Sequence, residues 1–178
     1  MQRLLILLLI ISGFYGPLTL FGQTGNPGGQ PQIADKEYVF PVTYSKAEWK
    51  KRLTSQQYYI LREKGTDPAF KNKYNKLYKK GVYYSAASLQ PVFSSAAKFD
   101  SHTGWPSFSA PISGDAVMLV KDASDGMVRW EVVDSKTGSH LGHVFDDGPA
   151  PTGKRYCLDS NSLLFVPEGG TPPVSAKN

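Results

Sequence analysis

The stretch MVRWEVVDSKTGSHLGHVFDDGPAPTGKRYCLDSNSLLFVP, Met127–Pro167, decides the fold. Its apolar residues come in short or alternating runs, "MVRWEVVDS", "HLGHVF", "RYCLDS" and "SLLFVP", each closed by Gly, Pro, Asp or Ser. Runs of that length with turn residues between them predict antiparallel β-strands, not βαβ units. Upstream, "GVYYSA" from Gly81 and "AVMLVKD" from Ala116 continue the texture. Before Gly81 the pattern changes. Ser45 and Glu48 have the spacing of a capping box, with Trp49 and Leu53 on one helical face, and Thr54 and Gln57 repeat the device ahead of a stop at Gly65. The expected class is mainly β, antiparallel, with short N-terminal helices.

The chain has 178 residues, 40% hydrophobic and 20% charged, which fits one globular domain with a sizeable core. Met1–Gln23 carries Arg3, an unbroken apolar run from Leu4 to Ile11 and then Gly13, Gly16 and Pro17. Residues 1–23 therefore read as a secretory signal peptide, with an uncleaved membrane anchor as the alternative. Residues 24–37 are rich in Gly, Pro and polar side chains and read as a flexible linker; 38–167 form the folded domain and 168–178 a flexible tail. The predicted location is outside the cytoplasm, in a bacterial periplasm or secreted, or tethered to a membrane on its outer side. Lys and Arg crowd Lys46 to Lys80 among tyrosines, but no nucleic-acid motif accompanies them, so they read as the solvated faces of helices.

Cys157 is the only cysteine. In an exported chain a lone thiol is inert and buried, bridged to another molecule, or a nucleophile. In a strand, Arg155, Cys157 and Asp159 share one face and Tyr156 and Leu158 the other, which puts the thiol on the polar side. Arg155 would stabilise the thiolate and Asp159 oppose it. His140 and His143 lie three apart and would face opposite ways in an ideal strand; Gly142 marks a place where a bulge could re-aim one. They are candidates for general acids, with Asp146 and Asp147 as orienting carboxylates or simply as the turn before Gly148. In "FDSHTGWPSF", Phe99–Phe108, Trp105 and Phe108 are either a core corner or an aromatic wall for an apolar ligand group, with His102 and Ser107 at its edge.

The order of "KFDSHTGWPSF", "VRWEV" and "SHLGHVFDDGPAPTGKRYCLDSNSLLF", after "WKKRLTSQQYYILREKGTDPAF", resembles the methionine sulfoxide reductase B family from about Tyr44 to Pro167. The resemblance implies a pair of antiparallel sheets with N-terminal helices and reduction of the R epimer of methionine sulfoxide in oxidised proteins or peptides. It implies Cys157 as nucleophile, His140 and His143 as acid and polarising groups, Asp147 and Arg155 as their supports, and Trp105 as the wall for the sulfoxide methyl. Phe108, Asp159 and His102 are expected beside the substrate from their places in the sequence. Members with structural zinc carry two C-x-x-C pairs. Ser85, Ser88, Asp134 and Thr137 stand at those positions here, so no zinc and no other cofactor is expected. Thr103 stands where some members have a resolving cysteine, so the Cys157 sulfenic acid would need an external thiol, a thioredoxin-like protein or a small molecule. Asp159 stands where the family often has Asn, and Asp159→Asn is expected to lower the thiol's pKa. The rival reading is a sulfoxide-binding or oxidant-sensing protein with little turnover.

Overall fold

The computed structural model describes residues 29–35 and 37–174. In chain order the elements are β1 (Gln32–Ile33), α1 (Lys46–Arg52), α2 (Ser55–Glu63), β2 (Gly81–Ser85), β3 (Pro91–Ser94), β4 (Lys98–Phe99), β5 (Ser107–Phe108), β6 (Val117–Asp122), β7 (Arg129–Asp134), β8 (His140–Phe145), β9 (Arg155–Leu158) and β10 (Leu163–Pro167). Both helices begin as the sequence predicts. The Ser45 hydroxyl accepts from the Glu48 amide while the Glu48 carboxylate accepts from the Ser45 amide, and Thr54 with Gln57 does the same for α2. The left-handed residue that ends α2 is Lys64, at φ 56°, one place before the expected Gly65. A Cβ at Gly65 would lie 2.1 Å from the Tyr59 ring and would push that ring aside. Trp49, Leu53, Ile60 and Leu61 are the buried faces of this helical pair.

Seven strands form one sheet in the order β1-β6-β7-β8-β9-β5-β4, and three form a second, β10-β2-β3. Every pairing is antiparallel except β1 on β6, which is parallel and is a departure from the expected all-antiparallel arrangement. β1 falls inside the stretch expected to be a linker. It needs no apolar run: two residues fill the open hydrogen-bonding edge of β6, and Ala34 beyond them is buried against Met118 and Val133. The core contains Tyr83, Val92 and Phe93 from the small sheet and Phe108, Val132, Leu141, Tyr156 and Leu158 from the large one. Phe108 is fully buried there, 5.0 Å from the Tyr83 ring and 4.9 Å from Phe93. It is a core residue, and the expectation of substrate contact is corrected. Its neighbour Ser107 faces the other way, toward Cys157, as alternation along a strand requires.

The apolar segment 1–23 lies outside the described residues. Among the described residues no helix is long and apolar enough to cross a membrane.

Candidate active site

The site is built on two neighbouring strands. In β8 the partner register passes from Val133↔His140 to Val132↔Gly142, so Leu141 is an extra residue. This bulge shifts the phase of the strand by one. Leu141 turns fully into the core, and His140 and His143 come to one face, ring centroids 5.4 Å apart. The bulge expected at Gly142 is present, and only glycine fits it: φ is 154° and a Cβ would meet the Cys157 carbonyl oxygen at 2.1 Å. Across the next ladder His143 is the direct partner of Cys157 in β9. Directly opposed residues project to the same side of a sheet.

In β9 Tyr156 and Leu158 are buried in the core, and Cys157 is half-buried on the opposite face. The Thr103 hydroxyl lies 3.9 Å from the sulfur, and Ser101 links Thr103 to Ser107 by hydroxyl contacts of 2.9 and 2.7 Å. Burial pushes the thiol above its ordinary pKa. The Arg155 charge and the Thr103 and Ser107 hydroxyls pull it back, and the Asp159 charge adds to the rise. Arg155 is itself held by Asp147 through two hydrogen bonds of 2.8 Å and lies over the Phe145 ring at 4.4 Å. Asp147, with its side chain 63% exposed, therefore reaches the thiol only through Arg155; it is no orienting carboxylate for the histidines.

Those carboxylates come from elsewhere. His140, 4% exposed, places Nδ1 2.8 Å from Glu131 Oε1 in β7, and its Nε2 is 3.7 Å from Asp159 Oδ2. The other Glu131 oxygen accepts from Lys64 Nζ at 2.7 Å. His143 Nε2 is 2.8 Å from Asp122 Oδ2 at the end of β6, and Asp122 also pairs with Arg129 at 3.0 Å. Burial lowers the pKa of both imidazoles. For His140 the contacts to Asp159 and Glu131 outweigh it and the net shift is upward; for His143 the bond to Asp122 does not, and the net shift is downward. Sequence reading missed Glu131, Asp122 and Lys64. Glu131 was nonetheless accessible from "VRWEV": it is a lone carboxylate in an apolar run, which demands a buried partner.

Trp105 closes one side of a cleft of about 240 Å³ shared with Cys157, His140, His143 and Asp159. Its indole is fixed by a hydrogen bond from Nε1 to the Asp67 carbonyl, 2.8 Å, and the Asp67 amide donates to Asp159 at 2.6 Å. His102 does not belong to this cleft. It sits in a turn at φ 57° with its side chain 86% exposed, near Asp100, and the expected substrate role is corrected. A larger cleft of about 680 Å³ beside Tyr38, Gln90 and Lys136 contains no histidine or cysteine.

Ser85, Ser88, Asp134 and Thr137 do come together, and they bond to one another. Asp134 accepts from the Ser88 hydroxyl at 2.5 Å, from the Thr137 hydroxyl at 2.9 Å and from the amides of Lys136 and Thr137, while Ser85 accepts from the amides of Ala87 and Ser88. Among the described residues no group of three or more His, Cys, Asp or Glu side chains is placed to hold a metal ion.

Comparison with known proteins gives a consistent result. A model of the SelR domain matches residues 53–167. A peptide methionine sulfoxide reductase MsrB of Methanosarcina barkeri is 58% identical over 129 residues, which cover 71% of this chain and 89% of that protein. The protein of the same name from Pseudomonas savastanoi pv. phaseolicola is 52% identical over 120 residues, 67% of this chain and 92% of that one. The mouse mitochondrial methionine-R-sulfoxide reductase B3 is 48% identical over 126 residues, 71% of this chain but half of its own length.

Proposed function

We infer the function from one premise, that this chain belongs to the SelR domain family. It is a methionine sulfoxide reductase B, an oxidoreductase that reduces the R epimer of methionine sulfoxide to methionine. The observation that carries this reading is the bulge of β8, which sets His140 and His143 on the face where His143 opposes Cys157, in a cleft walled by Trp105.

The Cys157 sulfur attacks the sulfoxide sulfur while the S-methyl group rests against Trp105. As the S–O bond weakens, the oxygen gains basicity, and an imidazolium beside it supplies a proton. The oxygen passes to Cys157: a sulfoxide and a thiol become a thioether and a sulfenic acid, and the thiol sulfur gives up the two electrons. Because burial holds the thiol above its ordinary pKa, the thiolate forms as the substrate oxygen takes up protons. With one cysteine in the chain, return to the thiol uses two external thiols, which leave as a disulfide with one water. That reductant is a thioredoxin-like protein or a small thiol, and the substrates are oxidised proteins or peptides.

Two further parts of this reading rest on the sequence. The apolar segment 1–23 supports export, with tethering to a membrane as the variant form. The oxygen-bearing side chains at 85, 88, 134 and 137 support a fold that dispenses with zinc.

Multiple turnover of a racemic methionine sulfoxide peptide with excess dithiothreitol, beside Cys157→Ser, tests the reading. Loss of the R epimer alone, abolished in the variant, is expected. Oxidation of Cys157 by one equivalent of sulfoxide followed by arrest would replace the reductase with an oxidant sensor.

A further inference from the structure

The charges around the two histidines sum differently. Sharing the cleft with His140 are Glu131 and Arg129 from β7, His143 from β8, Cys157 and then Asp159 from β9 and the turn after it, and Lys64 from the end of α2, while Asp67 bonds Asp159 through its amide. Asp67 is turned away, its carboxylate accepting from the backbone and side chain of Asn161. Lys64 pairs with Glu131 and the Asp67 amide donates to Asp159, and among the described contacts the cationic partner of Asp159 is His140 itself. Facing His143, Asp122 is shared between the ring and the Arg129 guanidinium, so its charge is not left to the imidazole alone. Arg155 pairs with Asp147, and burial outweighs the pull of Arg155 on Cys157, which keeps the sulfur a thiol. Unpaired buried charge is costly, so each group settles in the state that balances its surroundings.

We propose that Glu131 and Asp159 act as a buried clamp that holds His140 as the imidazolium before substrate arrives, so that His140, and not His143, is the loaded acid. The proposal rests on the reductase reading above and adds to it which imidazole carries the proton and what keeps it there. Glu131 is a positioning residue. It is 2% exposed, one oxygen is committed to His140 Nδ1, and the other is held by Lys64. That commitment fixes Nδ1 as a donor and leaves Nε2, 3.7 Å from Asp159, as the ring nitrogen not taken by Glu131. Lys64 adopts a left-handed conformation to end α2, and a non-glycine residue held so at a functional site commonly has a task to perform. Here it places its ammonium on the Glu131 oxygen that His140 does not use. The opposite net pKa directions of His140 and His143 agree with the charge sums.

The sign follows for catalysis. An acid works only while protonated, so activity falls as pH rises through its pKa, and loosening the clamp moves that alkaline limb to lower pH. The test is long-range nitrogen–proton NMR of the imidazoles in the full chain across pH, with the three histidines assigned by single replacement, beside the pH profile of kcat. At pH 7 His140 is expected to show two protonated nitrogens and His143 one. Glu131→Gln and Asp159→Asn should each lower the His140 pKa by about one unit or more and carry the alkaline limb with it. Lys64→Met, at a side chain 63% exposed, should keep the fold and move His140 the other way, upward, because it removes a neighbouring cation. A neutral His140 at pH 7, or a His140 pKa unmoved by Asp159→Asn and Lys64→Met, would overturn the clamp. The resting-state spectra need no turnover, so an inactive wild-type protein with a charged His140 would sink the reductase reading and leave the clamp standing.

Discussion

Two buried polar clusters in this molecule are built from similar parts and behave differently. In the knuckle of Ser85, Ser88, Asp134 and Thr137, one carboxylate is surrounded by hydroxyls and amides that point at it and at each other. In the cleft, Glu131 and Asp122 each bond an imidazole instead, a group whose proton can leave, and Asp159 lies 3.7 Å from one. The knuckle ties the β2–β3 turn to the β7–β8 turn and has no titrating partner. The cleft keeps a transferable proton beside a nucleophile. Burial is common to both; what separates a fastener from a site is whether the donors can change state.

The largest effect should come from breaking the geometry that the cleft has and the knuckle lacks. Gly142→Ala forces a methyl group into the Cys157 carbonyl and should destroy the bulge, lowering turnover by about 100-fold or more and stability by about 3 kcal/mol, read by steady-state assay and urea unfolding. Asp134→Ala should reverse that profile. It strands the Ser88 hydroxyl and two amides and is expected to cost about 2–4 kcal/mol in urea unfolding, with turnover per folded molecule unchanged. A parallel loss of turnover would mean that the two clusters are coupled. Elemental analysis sharpens the same contrast: one zinc per chain would show that the knuckle is a metal site after all.

Smaller effects lie within the cleft. Asp122 is the group that holds the His143 pKa up, so Asp122→Asn should lower it further, seen as an acid-shifted titration in NMR. Asp159→Asn should lower the Cys157 pKa by less than about one unit, because burial, and not Asp159, is the main cause of the rise. Thiolate absorbance against pH checks it, and an upward shift would refute it.

Much of this was legible in the sequence, for local reasons. Capping boxes are four-residue devices, so Ser45 with Glu48 and Thr54 with Gln57 announced both helices. Alternation in "RYCLDS" placed Tyr156 and Leu158 inward and Cys157 outward, and Gly142 flagged the bulge. What escaped depends on contacts across the chain. Asp122 meets His143 from 21 residues away and Lys64 meets Glu131 from 67, and neither separation leaves a periodic trace. His102 was misjudged because a left-handed turn residue points where strand alternation gives no guidance. Phe108 differs for the opposite reason: it alternates with Ser107 along β5, so the pleat that turns Ser107 toward Cys157 turns Phe108 into the core, although Trp105 three residues earlier lines the cleft. β1 is two residues of backbone pairing, which no side-chain pattern encodes.

Cys157 is half-buried in a cleft of about 240 Å³, and it is the chain's sole thiol. In the proposed cycle two visitors must therefore use one doorway in turn. Methionine has to depart before a reductant sulfur can reach the sulfenic acid, so no ternary complex forms and each visitor competes with the other for the wrong form of the enzyme. Double-reciprocal plots at several reductant concentrations are then parallel lines. At high thiol the reductant occupies the resting cleft and slows the repair that it sustains.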